Sequence, residues 1–492
     1  MQQANSATAN KTAGELKTTM SIPTDPAVQK LHEWIDAHRA EIVESLQGVL
    51  RIPSVEAPAA GPTAPFGKPV REALDYTLKL CEKLGFKTED FDGYACHAEM
   101  GQGAEMVAAL GHLDVVPEGD RWTNPPYSAV IIDDVIYARG TSDDKGPIYA
   151  ALFGAKAILD SGLPLSRRIR IIFGCNEESG FGCVHHYFNV ANQERPVSGF
   201  TPDAGFPLCY AEKGIANLVL EKPLPSADRP LRIVKANGGR RPNMVPDFAQ
   251  ASLVGTAKAK DVAAAELDKF WDRNVSYEET SEELIVTAIG KSAHGARPTL
   301  GDNAIARLAR ALSTLGLHES ECWLHWADLS SDTTGAALGI AGRDDVAGEL
   351  TSNLGILETT EQGTIRLTYN IRYPVTWTFE ELLAKNKPVI DAAGWTISES
   401  HNQAPLYVPL DKEPVLTLLR VYREETGDYE SQPETMGGGT YARATPNIVA
   451  YGSHFPGDDK YGPAHEPDEC ISIEGLLRAA KVYAHALYEL AK

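Results

Sequence analysis

The sequence predicts an α/β protein: a domain with a mainly parallel sheet flanked by helices, plus an α+β region whose sheet is antiparallel. Three observations predict it. Apolar runs and helical stripes alternate from the N-terminal helix to about Asp203, the texture of strand–helix–strand units. From about residue 214 the runs alternate apolar with polar residues, as in antiparallel strands with one face on a core and one in water. The 492 residues exceed what one hydrophobic core holds and suit two domains.

Residues 1–25 are rich in Ala, Ser, Thr, Asn and Gln and contain no apolar stretch, so a disordered tail without a secretory signal is expected, with Met20 as an alternative start. Residues 26–50 place Val28, Leu31, Trp34, Ile35, Ile42, Val43, Leu46 and Val49 at helical spacing and predict one amphipathic helix. Buried strands follow in the runs that end at His112 and Gly174, with a helical stretch at 148–155 between them. Ala216–Glu221, Leu284–Ile289 and Thr364–Tyr369 then alternate, with helices near 261–272 and 302–315. The α/β texture returns near 403, with a helix at 413–426, a strand at 448–451 and a last helix at about 473–491. The expected domains are therefore 26–213 with 403–492, and 214–402. No internal repeat is present.

Composition excludes several function classes. With 43% hydrophobic and 23% charged residues the chain reads as an ordinary soluble globular protein. A formal net charge of −21 argues against nucleic acid and anionic membranes as partners. No run reaches transmembrane length. The seven cysteines, Cys81, Cys96, Cys175, Cys183, Cys209, Cys322 and Cys470, are odd in number and scattered, which predicts a reduced, cytoplasmic chain. No phosphate-loop or dinucleotide fingerprint is present, so a nucleotide-binding protein is disfavoured.

Acid and histidine clusters sit where apolar runs stop. His112 and Asp114 are one residue apart, and on an extended segment both side chains share a face. The imidazole could bind a metal while the carboxylate orients it through the other ring nitrogen. Gly140-Thr-Ser-Asp-Asp-Lys-Gly-Pro147, Asn176-Glu-Glu-Ser-Gly180 and Thr201-Pro-Asp-Ala204 follow apolar runs, and His465 lies in a Gly/Pro loop near the C-terminus. Singly, each is ordinary: Asp-Asp-Lys suits a solvated turn or helix cap, and a lone loop histidine is commonly just hydrogen-bonded. Together they suit the carboxyl ends of parallel strands, where functional groups collect in α/β sheets. Carboxylates converging there repel one another unless a cation neutralises them. A mixed set of imidazole and carboxylate ligands suits Zn²⁺, Mn²⁺ or Co²⁺ better than Ca²⁺ or an iron–sulfur cluster.

These stretches, with Asn243-Met-Val-Pro-Asp247, Lys291-Ser-Ala-His-Gly295, Asn370-Ile-Arg-Tyr-Pro374 and Gly437-Gly-Gly-Thr-Tyr-Ala-Arg443, resemble the M20 family of dinuclear metallopeptidases, most closely its PepV-type dipeptidases. The order is kept over nearly the whole chain past the tail. The resemblance implies two divalent cations, with Zn²⁺ the leading choice. Asp143 would bridge them, His112 and Asp203 would complete one site, and Glu178 and His465 the other. It implies Glu177 as general base, Asp114 as the partner orienting His112, His294 as an oxyanion donor, Arg372 as the group holding the substrate carboxylate, and Asn243, Gly438 and Gly439 as further substrate contacts. Asn176 departs from the family, where many relatives carry an acid. Asp203, rather than Glu, resembles the amino- and dipeptidases more than the carboxypeptidase- and desuccinylase-like members. The 214–402 region resembles the family's inserted lid domain, enlarged as in PepV-like members where it stands in for a partner subunit, which implies a monomer.

The implied chemistry is coherent. Two cations roughly 3.5–4 Å apart lower the pKa of a shared water toward ~7. Adjacent residues in Glu177-Glu178 can divide the work, one binding metal while the other takes the proton and passes it to the leaving amine. The expectation is a dipeptidase acting on small unblocked peptides. An N-acyl amino-acid deacylase or desuccinylase with the same site, and a non-catalytic binding protein on the same fold, are the alternatives.

Overall fold

The computed structural model describes residues 25–224, 229–317, 320–458 and 462–492. The expected disordered tail lies outside the described residues except for Asp25, whose carboxylate accepts from the Ala27 amide at 2.8 Å and caps the helix Pro26–Ala37. The chain forms two compact units. One comprises Met1–Tyr210, Val408–Glu434 and Thr440–Lys492; the other comprises Ala211–Tyr407 and Thr435–Gly439.

In the first unit the sheet runs in the order Lys87–Phe91, Ala95–Met100, Arg168–Gly174, Met106–His112, Ser198–Thr201, Ile448–Ala450. Its centre is parallel: Arg168–Gly174 and Ser198–Thr201 flank Met106–His112, and Ile448–Ala450 joins beyond. The outer pairs Lys87–Phe91 with Ala95–Met100, and Ala95–Met100 with Arg168–Gly174, are antiparallel. Every residue of Met106–His112 is buried, as a strand covered on both faces requires. Helix Lys145–Ser161 is buried almost all round and lies against Ile473–Ala491, which Ser472 caps through the Gly475 amide. Fully burying side chains such as Leu152, Phe153 and Leu476 stabilises the unit by about 1.5–3 kcal/mol each.

Two elements differ from the sequence reading. The helix expected over 26–50 is two helices, Pro26–Ala37 and Arg39–Leu50. His38 divides them: its Nδ1 lies 2.7 Å from the Trp34 carbonyl and its ring stacks on Trp34, so the side chain takes up a carbonyl of the last turn. The apolar run before Asp143 does not enter the main sheet. Val135–Tyr137 belongs to a separate three-stranded sheet between Val130–Ile132 and Cys470–Ser472.

The second unit holds an eight-stranded antiparallel sheet, in the order Val275–Glu279, Glu283–Ile289, Phe248–Gly255, Leu231–Gly238, Thr351–Thr359, Thr364–Tyr373, Gly214–Pro223, Thr396–Gln403. Its core joins Leu253, Val286, Leu367, Tyr369 and Ile371 from strands to Leu308, Leu312, Leu382 and Ile390 from helices. Within the expected 403–492 return, Thr435–Gly439 groups instead with this unit. The Lys213 amide donates to the Met436 carbonyl at 2.9 Å and Arg372 Nη1 to the Gly437 carbonyl at 2.8 Å, which explains the grouping. Among the described residues, no helix is long and apolar enough to cross a membrane.

Candidate metal centre

The parallel strands of the first unit deliver the site. His112 is the last residue of Met106–His112 and pairs with Gly174 across the sheet. Glu177 and Glu178 follow Arg168–Gly174, and Asp203 follows Ser198–Thr201. Asp143 arrives from the turn that opens helix Lys145–Ser161, and His465 from the loop before Cys470–Ser472. His465 holds a φ of 66°, a conformation uncommon outside glycine.

These side chains meet. His112 Nε2 lies 3.0 Å from Asp143 Oδ1, and His465 Nε2 lies 3.0 Å from Asp143 Oδ2 and 3.1 Å from Glu178 Oε1. Asp143 thus offers one oxygen to each imidazole. Ligand atoms of His112, Asp143 and Glu178 all lie within 4.8 Å of one another, and so do those of His112, Glu177 and Asp203. The structure therefore gathers all five expected ligands and the expected base around His112 and Asp143.

Asp114 lies beside His112, as its expected partner, but its contacts differ in detail. The oxygen at hydrogen-bond distance from His112 Nδ1 is the Asp114 backbone carbonyl, at 2.9 Å; its carboxylate is 3.6 Å away, beyond a hydrogen bond. The carboxylate instead accepts from the Glu177 and Glu178 amides, each at 3.1 Å. The strand ends at His112, so the two-residue alternation no longer governs where Asp114 points.

Electrostatics tests whether cations suit this set. Burial pushes the Glu177, Glu178 and Asp203 carboxyls up, and neighbouring carboxylates push them further. Burial also raises Asp143, but hydrogen bonds from His112 and His465 outweigh it and hold that carboxyl below its ordinary range. Hydrogen bonds to Asp143 and Glu178 push the His465 imidazole up to about 10. Acids crowded out of water beside two imidazoles form a hard-and-borderline donor set short of positive charge, and divalent cations fit it.

Three neighbours were not legible as site residues. Asp144 is fully buried, and its Oδ2 accepts from the His112 amide at 3.2 Å. Gly111 permits this approach, because a Cβ there would collide with Asp144 Oδ2 and Ile148. Lys145 is also fully buried, donating to the Val49 and Ile52 carbonyls at 3.1 and 2.9 Å, and burial lowers it to about 7. Nothing in Asp-Asp-Lys separates this arrangement from a solvated turn. Tyr441 lies edge-on to His112 with ring centroids 6.1 Å apart, and its hydroxyl meets Cys183 Sγ at 2.7 Å. The sole hint of it was its place beside the Gly437–Gly439 run.

The remaining candidates lie in the second unit and cluster there. The Gly295 amide donates to the Asn243 carbonyl at 2.7 Å, and His294 pairs with Met244 in an isolated bridge. Asn353 Nδ2 holds the same turn through the Pro242 and Met244 carbonyls. A Cβ on Gly437 would lie 3.1 Å from Ala296 Cβ, so the Gly437–Gly439 segment passes beside the His294 turn. Buried Arg372 donates from Nε to Asn370 Oδ1 and from Nη1 to the Gly437 carbonyl, both at 2.8 Å. Its guanidinium thus helps shape the glycine segment.

The chain is similar to known proteins over most of its length. The model of "Peptidase family M20/M25/M40" matches residues 108–489. A Bacillus subtilis (strain 168) protein described as "Putative dipeptidase YtjP" is 39% identical over 466 residues, covering 92% of this chain and 98% of its own length. A Staphylococcus haemolyticus (strain JCSC1435) relative described as "Putative dipeptidase SH1171" is 36% identical, covering 93% of this chain and 98% of its own length. The Sulfolobus solfataricus M20 metallo-carboxypeptidase Sso-CP2 superposes with a TM-score of 0.56 at 19% identity, covering 92% of this chain and 99% of that one. Human carnosine dipeptidase 1 does so at 0.54 and 16%, covering 94% and 99%. At those identities the two structures speak for the fold alone. The family match spans most of the chain and the Bacillus relative is aligned almost end to end, and on that ground the chain belongs to peptidase family M20/M25/M40.

Proposed function

We propose that this protein is a dinuclear metallo-dipeptidase that hydrolyses unblocked dipeptides. The observation that carries the reading is Asp143 set between two imidazoles, one oxygen toward each, with Glu178 gathered beside His112 and Asp143, and Asp203 beside His112 and Glu177. His112, Asp143 and Asp203 would hold one cation and Asp143, Glu178 and His465 the other, with Zn²⁺ the leading choice and Mn²⁺ or Co²⁺ compatible. Bound there, the cations supply a water acidified toward ~7 and a polarised substrate carbonyl.

The chain's own residues do the rest. Glu177 takes a proton from water and delivers it to the leaving amine; its burial keeps the carboxyl basic enough for that task. Asp114 fixes the base by binding the amides of both glutamates. The dipeptide class is taken from the descriptions of the relatives. Asn243, His294, Arg372, Gly438 and Gly439 are the proposed substrate-contacting residues, with His294 the oxyanion donor. Cys81, Cys96, Cys175 and Cys183 are buried free thiols, which favours a reduced compartment.

The test is Glu177→Ala. Metal content should match wild type while kcat falls about 10²–10⁴-fold; retained turnover rules out the base. His294→Ala in the same assay should lose turnover and keep metal. Free dipeptides compared with N-acylated amino acids separate a dipeptidase from a deacylase or desuccinylase.

A further inference from the structure

We propose that Glu469 is a positioning residue for the metal centre: its buried carboxylate clasps the turn bearing Asp143 to the loop bearing His465. The inference rests on the reading of the centre given above. Glu469 is wholly shielded from solvent. Its Oε1 accepts from the Ser142 amide at 2.8 Å, the Ser142 hydroxyl at 2.8 Å and the Asp143 amide at 3.2 Å. Its Oε2 accepts from the Gly140 amide at 3.1 Å and Arg139 Nη1 at 2.7 Å. Its backbone carbonyl accepts from the Ala138 amide at 3.1 Å. Every one of these donors lies in the segment 138–143.

The arrangement is reciprocal. Arg139 Nη1 also donates to the carbonyl of Glu466, the residue after His465, at 3.2 Å, and Nη2 to the Glu118 carbonyl at 3.2 Å. Glu469 therefore holds the Asp143 turn, while Arg139 of that turn holds the His465 loop. The pairing of Val135–Tyr137 with Cys470–Ser472 ends at Tyr137 and Cys470. The Glu469 side chain continues the link for the next six residues, where the backbone turns away to present Asp143.

Packing cannot do this job at His465, whose side chain is 53% exposed. What sets its separation from Asp143 is where the two backbones are held. A buried carboxylate surrounded by N–H and O–H donors suits that role, because hydrogen bonds to a charged acceptor are shorter and roughly twice as strong as neutral ones. A purely stabilising ion pair between Arg139 and Glu469 would not need the Ser142 and Asp143 amides on the other oxygen. Those contacts point to the metal centre.

The experiment compares wild type, Glu469→Gln and Ser142→Ala. Co²⁺ is titrated against a competing chelator, the visible absorption of the Co²⁺-loaded protein is recorded, and circular dichroism reports the fold. Glu469→Gln keeps the side-chain shape but, in either orientation, turns an NH₂ toward backbone amides, which can only donate. It should weaken Co²⁺ binding about 10–100-fold and alter the absorption bands. Ser142→Ala removes one donor and leaves the buried ion pair intact; a smaller loss in the same direction is expected. If Glu469→Gln fails to fold, Ser142→Ala decides. Wild type that binds two Co²⁺ while Ser142→Ala binds them with the same affinity and spectrum overturns the clasp and leaves the metal centre standing. Wild type that takes up no Co²⁺ sinks the metal-centre reading, and the clasp with it.

Discussion

At position 176 an amide does what a carboxylate could not. Asn176 Nδ2 donates to Glu56 Oε2 at 3.1 Å while Oδ1 accepts from the Gly182 amide at 3.0 Å. An acid there would set two carboxylates against each other. Asn176→Asp should therefore cost about 1–3 kcal/mol of stability, read from the denaturant midpoint at neutral pH. The same scale shows what could be read from the letters. His112, Glu177, Glu178 and Asp203 stand at strand ends, and a strand end marked by an apolar run is a local signal. Asp144, Lys145 and Glu469 were opaque as to role, and so was the hold of Asp114 on the Glu177 and Glu178 amides. Their importance comes from hydrogen bonds to distant backbone, as with Lys145 and the Val49 and Ile52 carbonyls, and no local pattern encodes those.

Among elements, helix Lys145–Ser161 bears most directly on the centre, since it begins immediately after Asp143 and Asp144. It crosses Ile473–Ala491 at a point where a Cβ on Gly154 would lie 2.9 Å from the Ala484 amide nitrogen and 3.1 Å from the Ala480 carbonyl. The obstacle is backbone, which cannot swing aside. Gly154→Val should destabilise by about 1–3 kcal/mol or more, seen as a lowered melting temperature. It should also weaken metal binding, because the displaced helix carries Asp143 at its head. Element type was legible where periodicity was long: 168–174, 364–373 and 473–491 stand close to where the sequence put them. The small sheet of Val130–Ile132, Val135–Tyr137 and Cys470–Ser472 was not legible. Three-residue strands carry no readable period, and two of them pair across more than 300 residues of chain.

For the whole molecule, the expected metal ligands all lie in the first unit. Ligands that bind only the folded state stabilise the part that binds them. Calorimetry before and after chelation should show the first unit's transition moving down, by about 2.7 kcal/mol for a cation removed from a hundredfold excess over its Kd. The second unit's transition should stay in place. A uniform shift of all unfolding would mean the two units melt as one.

The five residues Thr435–Gly439 carry a practical consequence. Because they belong to the second unit while their neighbours on both sides belong to the first, the polypeptide changes unit four times. Splicing out 211–407 to obtain a minimal catalytic core would leave this short piece orphaned, with the Lys213 amide and the Arg372 guanidinium it docks on both gone. Anyone dissecting the protein must make two excisions, and a chimera that borrows the second unit from a relative must import both pieces together.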